Sequence, residues 1–165
     1  MDDEINDRID RDLLRTLFDQ VIPFNRFLGV RVVEIGDGQA TLELPFRPEL
    51  LGNPVARTLH GGVISSLLDN TGGLAVWSQI GLDDLVSTVD LRVDYLRPAG
   101  PEALVGTGQV VRLGNRVGVA QLRAFHPGRE EQPVAIGIGV YSIRRTSTGR
   151  ELWRRLLEGR TGEDD

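Results

Sequence analysis

Apolar residues recur every four positions at the start of the chain, at Ile5, Ile9, Leu13, Leu17 and Val21, with Leu14 and Phe18 beside them. That spacing predicts an amphipathic helix over residues 4–21, ended by Pro23. The period then shortens. The stretch FLGVRVVEIGDGQATLELPF predicts two strands joined at Gly36-Asp37-Gly38, a hairpin signal. RPELLGNPVART, rich in Pro, Gly and Asn, reads as a loop. From Gly61 to about Ile80 the pattern is helical again. Val63, Ile64, Leu67, Leu68, Leu74 and Ala75 spread over a wide arc, so this helix should be wrapped by a sheet.

Downstream of it, LVSTVDLRVDYLRPAG alternates. Val89, Leu91, Val93 and Tyr95 fall on one face and Asp90, Arg92 and Asp94 on the other, a strand with one wet face stopped by Pro98. ALVGTGQVVRLGNRVGVAQLRAFH predicts two strands around Gly114-Asn115, and EQPVAIGIGVYSIRRT a last strand. GRELWRRLLEGR predicts a short helix, and the tail TGEDD is expected to be disordered. Strands joined by short turns make an antiparallel sheet, so the class is α+β, with about six strands around one long helix. The chain divides into an N-terminal helix (1–22), a main unit (23–145) and a C-terminal helix with tail (146–165).

Composition narrows the chemistry. A chain of 165 residues, 40% apolar and 26% charged, is one domain with room for a core. No apolar run is long enough to span a membrane, and the acidic start MDDEINDRID is unlike a secretory signal, so a cytoplasmic location is expected. A net charge of −5 argues against a nucleic-acid footprint. Without cysteine there are no thiol nucleophiles or thiolate metal sites. All 19 basic residues are arginine, which excludes Schiff-base chemistry and a phosphate-loop lysine. With His60 and His126 the only histidines, no metal site is expected.

The stretch TLHGGVISSLLDNTGG concentrates what remains. Asp69 is three or four residues from Ser65, Ser66, Gly72 and Gly73, all small and all neighbours on a helix. Interior glycines cost roughly 1 kcal/mol each against alanine, so they imply a close approach, by another helix or by a substrate. Gly61 and Gly62 sit in the first turn, where free N–H groups can hold an oxyanion. Gly61 and Asp69 are eight residues apart, about 12 Å along a helix. An aspartate reaches only roughly 3 Å and leans toward the helix N-terminus. If both act on one substrate carbon, they come from different subunits of a symmetric dimer with two composite sites.

The segments NPVARTLHGGVISSLLDNTGG, STVDLRVDYLRPA and VRLGNRVGVAQLRAF together resemble the hotdog-fold thioesterases of the phenylacetate-degradation type, in the 4-hydroxybenzoyl-CoA thioesterase superfamily. The resemblance runs from about Pro23 to Ile143. It implies a hotdog fold, an antiparallel sheet wrapped around one helix, and hydrolysis of an acyl-CoA thioester with no cofactor beyond the coenzyme A of the substrate. It implies that Asp69 is general base or nucleophile, that the Gly61 N–H polarises the thioester carbonyl, that the Ser87 hydroxyl helps hold water at the carboxylate, and that Asn53 helps place thioester or water. His60, Gly62, Ser66 and Gly73 would then line the substrate site. Asp69 and Ser87 would face Gly61 and Asn53 of the other subunit, in a homodimer that pairs again into a tetramer.

Asn53 before Pro54 also has the makings of a turn residue. Coenzyme A is polyanionic, so an acidic protein needs a local basic patch, for which Arg97 and Arg116 are the candidates, with Arg112 and Arg123 behind them. Two other functions fit the same fold: a hydratase or dehydratase using His60 with an acid, and a non-catalytic acyl-CoA-binding protein.

Overall fold

The computed structural model describes residues 11–160. Ile5, Ile9 and the tail expected to be disordered lie outside them. The N-terminal helix (α1) is α-helical over 11–16 and widens into a π turn at Leu17–Val21, closed by the Ile22 N–H on the Leu17 carbonyl at 3.0 Å. Leu14, Leu17 and Phe18 are its buried face. Pro23 does stop this helix, because the residue before a proline is forced out of the helical region, and Ile22 sits at φ −66°, ψ 112°. The same proline then serves as the first residue of a second helix that the sequence pattern missed, α2 (Pro23–Leu28). Gly29, at φ 76°, ends α2 with its own N–H and that of Val30 folded back onto the Asn25 carbonyl.

The hairpin follows as read: β1 (Arg31–Gly36) and β2 (Gln39–Leu44) meet at Asp37 and Gly38, both at positive φ as a two-residue turn needs. The loop after β2 holds a 3-10 turn (Pro48–Leu50) and a small hairpin of β3 (Leu51–Asn53) and β4 (Thr58–Leu59). The central helix α3 runs unbroken over Gly61–Trp77. Then come β5 (Leu85–Tyr95), β6 (Leu104–Leu113), β7 (Val117–Phe125), β8 (Ala135–Arg144) and α4 (Gly149–Arg160).

Six strands form one antiparallel sheet in the order β1-β2-β6-β7-β8-β5, which leaves the long strand β5 at an edge. The sheet curls around α3, whose Ile64, Leu67, Leu68, Leu74, Ala75 and Val76 are almost fully excluded from water. This is the α+β hotdog architecture expected from the sequence. At the C-terminal end of α3, Trp77 stacks edge-on between Phe18 of α1 (6.2 Å) and Trp153 of α4 (5.7 Å), so one aromatic row ties both terminal helices to the core.

Within the six-stranded sheet, regular alternation fails at three places. The register slips at Val33 in β1, Val89 in β5 and Val111 in β6. At each slip an extra residue is squeezed out of the ladder. All three are valines turned to solvent, Val89 to 64% exposure, against the expectation that Val89 shares the inner face with Leu91. The slip in β5 decides which hydroxyl meets the central helix.

Candidate active site

His60 caps α3. Its Nδ1 accepts the Gly62 N–H at 2.9 Å, and its own N–H donates to the Leu50 carbonyl at 2.9 Å. The small hairpin presses so closely here that a Cβ on Gly52 would lie 2.7 Å from the His60 Cα, which explains that glycine. A helix leaves its first four N–H groups without helical partners. Here Gly62 is served by the His60 ring, and Val63 and Ile64 point at the His60 carbonyl at 3.0 and 3.4 Å. That leaves the Gly61 N–H, which has no acceptor among the described residues. Tyr95, near the end of β5, stands over this corner and donates its hydroxyl to the Gly61 carbonyl at 3.0 Å.

Two turns further along α3, the half-buried Asp69 accepts a 2.8 Å hydrogen bond from the Thr88 hydroxyl of β5. Burial pushes the Asp69 carboxyl above its ordinary range, and the Thr88 hydroxyl draws it partly back by favouring the charged form. This corrects the expectation for Ser87. Neighbouring residues of a strand face opposite ways, and the extra residue at Val89 makes Val86 and Thr88, not Ser87, continue the inner face of Leu91, Val93 and Tyr95. Ser87 is exposed on the outer side. The available signal was that Thr88 is also a hydroxyl residue; the slip that selects it leaves no mark on a period-two pattern.

The small polar residues of α3 are occupied with the helix itself. Ser65 reaches the Gly61 carbonyl (3.2 Å), Ser66 the Gly62 carbonyl (2.7 Å) and Asn70 the Ser66 carbonyl (2.9 Å). Bonding back in this way keeps side chains flat against the helix. The two glycines differ. A Cβ on Gly73 would meet nothing closer than 3.7 Å, whereas one on Gly72 would collide with Tyr141 and Leu122. Gly72 is therefore small for packing inside its own chain, and only Gly73 remains to give access to the Asp69 face.

Asn53 closes a turn: its side-chain oxygen accepts the N–H groups of Val55 (3.0 Å) and Ala56 (2.9 Å), on an exposed loop next to His60. Arg97 is exposed just past Tyr95, at the Gly61 end of α3. Arg116 lies in the β6–β7 turn at the opposite end, where a Cβ on Gly118 would come within 2.8 Å of Val76. A single chain thus gathers Asn53, His60, Gly61, Gly62, Ser66 and Arg97 at one end of the helix, with Asp69, Thr88 and Gly73 further along and Arg116 far off. His126 is buried and holds the loop after β5, its Nε2 accepting the Gly100 N–H at 3.0 Å.

Among the described residues, no group of His, Asp and Glu is placed to hold a metal ion. A groove of about 660 Å³ lies on the outer face of the sheet, along Gln39, Arg92, Gln121, Arg123 and Ile138, and none of Asp69, Thr88 and Gly61 lines it.

Comparison with known proteins agrees with the fold and gives the family. A family model described as the thioesterase superfamily matches residues 56–133. A medium/long-chain acyl-CoA thioesterase of Escherichia coli K12 is 33% identical over 144 residues, covering 79% of this chain and 92% of that one. A candidate esterase of Halobacterium salinarum is 38% identical over 126 residues, covering 72% and 83%. Among solved structures, a Shewanella oneidensis protein related to the thioesterase superfamily superposes with a TM-score of 0.70 at 32% identity, over 85% of this chain and 95% of that one. The PaaI protein of the E. coli phenylacetic acid degradation operon superposes with a TM-score of 0.73 over 87% and 96%, at 19% identity, a likeness of fold alone.

Proposed function

This chain belongs to the thioesterase superfamily, and from that premise we propose that it hydrolyses acyl-CoA thioesters to a carboxylic acid and free coenzyme A. The observation that carries the mechanism is that α3 presents two groups of the right kind, the Asp69 carboxylate held by Thr88 and the Gly61 N–H, which has no acceptor among the described residues. Asp69 takes a proton from water, or attacks directly, at the thioester carbonyl. The Gly61 N–H receives the charge that develops on the carbonyl oxygen. A thiolate leaves readily, so no strong acid is required. Thr88 takes the part that the resemblance assigned to Ser87.

Along an unbroken helix the two groups lie about 12 Å apart, too far for one carbon. We therefore propose a two-fold dimer in which Asp69 and Thr88 of one protomer face Gly61 of its partner. The free edge of β5, eleven residues long and carrying exposed Val89 and Tyr95, supports this, because long unpaired edges are normally covered. Antiparallel α3 helices would also bring Arg97 of one protomer to the same end as Arg116 of the other, where both could meet coenzyme A phosphates. Asn53 acts by shaping the loop beside His60. A second pairing into a tetramer remains part of the proposal.

The His60 Nδ1 accepts the Gly62 N–H, which leaves the ring proton on Nε2 and no free basic nitrogen, and this disfavours a hydratase that uses His60 as its base. The test is a thiol-release screen across aromatic and aliphatic acyl-CoAs, with Asp69→Ala alongside. Release by the wild type and its loss by at least about a hundredfold in Asp69→Ala are expected. Equal rates for the two proteins would overturn the assignment.

A further inference from the structure

Access to Asp69 does not explain Gly72. It is buried, and a Cβ there would lie 2.7 Å from Tyr141 Cζ and 2.8 Å from Leu122 Cδ2, with Tyr141 Oη nearer still. Gly139, two residues before Tyr141 on β8, is crowded by the same phenol, with a Cβ 2.6 Å from Tyr141 Cζ. Two glycines thus make room for one side chain. Tyr141 is fully excluded from water within an apolar core, where a hydroxyl is costly unless bonded. Its Oη donates to the Asp69 main-chain oxygen at 3.2 Å. That oxygen is also the acceptor for the helical N–H four residues on, so α3 does not need the phenol to complete its ladder. A phenylalanine would fill the same space without a polar group to satisfy.

Tyr141 and Thr88 are directly opposite each other across the β5–β8 register. Thr88 holds the Asp69 side chain, and Tyr141 its main chain. One cross-strand pair therefore grips a single helical residue at two points. We propose that Tyr141 is a positioning residue for the Asp69 carboxylate, pinning the helical turn at Asp69 to β8 so that the side chain stays in reach of Thr88 on β5. The inference rests on Asp69 being the group that acts on the thioester. Burial and the nearby Asp69 charge push the Tyr141 phenol up, so it stays a donor across the working pH range. The design matches a general requirement: a reacting group must be held by neighbours whose own conformations are locked.

The test is Tyr141→Phe, which keeps the ring. In acyl-CoA hydrolysis we expect kcat to fall about tenfold with KM within about twofold, since misplacement acts on the chemical step. The acid limb of the pH–rate profile should move to higher pH, in the direction of Thr88→Val. The double variant should lose less than the product of the two single losses, because both act through Asp69. A second measurement does not depend on turnover: the carbon-13 titration of the Asp69 carboxyl by NMR, which should shift upward in Tyr141→Phe. Lowered thermal stability with kcat, acid limb and Asp69 titration unchanged would overturn the proposal and leave Tyr141 a packing residue. If the wild type releases no thiol from any acyl-CoA, the hydrolase reading fails by itself; the titration still decides, an upward shift supporting the positioning role and no shift overturning it.

Discussion

Gly61→Pro isolates a main-chain group that side-chain replacement otherwise cannot reach. The N–H of Gly61 is the only first-turn amide of α3 without an acceptor among the described residues, and proline deletes it. The backbone is already suited to the change. Proline is favoured at the first helical position, and His60, at φ −68° and ψ 134°, lies in the extended region that a following proline demands. A Cβ at position 61 would sit 3.5 Å from the Tyr95 ring, ordinary contact. Folding should therefore survive, and a less flexible unfolded chain favours it slightly. Losing one oxyanion donor costs about 3 kcal/mol in the transition state, a fall in kcat of roughly 10²–10³-fold. Gly61→Ala keeps the N–H and should stay within a few-fold of wild type.

The assay is thiol release at saturating acyl-CoA, with melting curves as the control for folding. Mixing adds a further check on the dimer. Gly61→Pro and Asp69→Asn subunits, unfolded and refolded together, form mixed dimers in which one site is intact and the other doubly damaged. Random assortment should then restore about a quarter of wild-type activity. A Gly61→Pro protein that folds and turns over like Gly61→Ala would refute the oxyanion assignment. Mixtures that stay as inactive as their parents would refute the shared site.

Asp69→Asn should raise the melting temperature while hydrolysis drops by about 10²–10⁴-fold. The sign follows from the raised carboxyl: the folded protein holds its proton more tightly than the unfolded chain, so wild-type stability declines as pH climbs from the ordinary aspartate value of 3.8 through the raised one. The advantage of Asn is thus present at neutral pH and fades in acid, which melting curves from pH 3 to 8 would show. Thr88→Val removes a partly exposed, charge-assisted hydrogen bond of about 1 kcal/mol, so the acid limb of the rate profile should rise by about half to one pH unit. Ser87→Ala should leave that limb in place, and a reversal of the two effects would mean the β5 register is misassigned. Gly72→Ala should destabilise by about 1–3 kcal/mol through its clash with Tyr141. Gly73→Ala, whose Cβ would make only ordinary contact with the Tyr141 ring, should gain about 0.5–1 kcal/mol in a chemical denaturation curve.

Local signals carried the fold well. Gly36-Asp37-Gly38 names its own turn, and the broad apolar arc from Val63 to Ala75 can be buried only inside a sheet. The same logic reached Asp69 and Gly61, because eight helical residues fix a distance whatever surrounds them. What stayed hidden was set by contacts between distant segments. Pro23 looks the same whether it stops one helix or starts another, and here it does both. The slip at Val89 leaves an apolar residue where an apolar residue was expected, so nothing in β5 reports that Thr88 has replaced Ser87 at the helix. Gly72 looked like a door to Asp69 until Tyr141, 69 residues later in the chain, occupied it. A tyrosine shortly after alternating glycines, as in Gly137-Ile138-Gly139-Val140-Tyr141, is the one hint that a large ring folds back over bare backbone.

Trp77 and Trp153 are the protein's only tryptophans, and they meet edge to face at the end of α3 that is far from Gly61. Intrinsic fluorescence is therefore a reporter of one event, the docking of α4 on the core. Two indoles at this separation also couple as excitons, so the docked state should carry a paired positive and negative band in its ultraviolet circular dichroism. Release of α4 would erase that couplet and redden the emission while the sheet stayed folded.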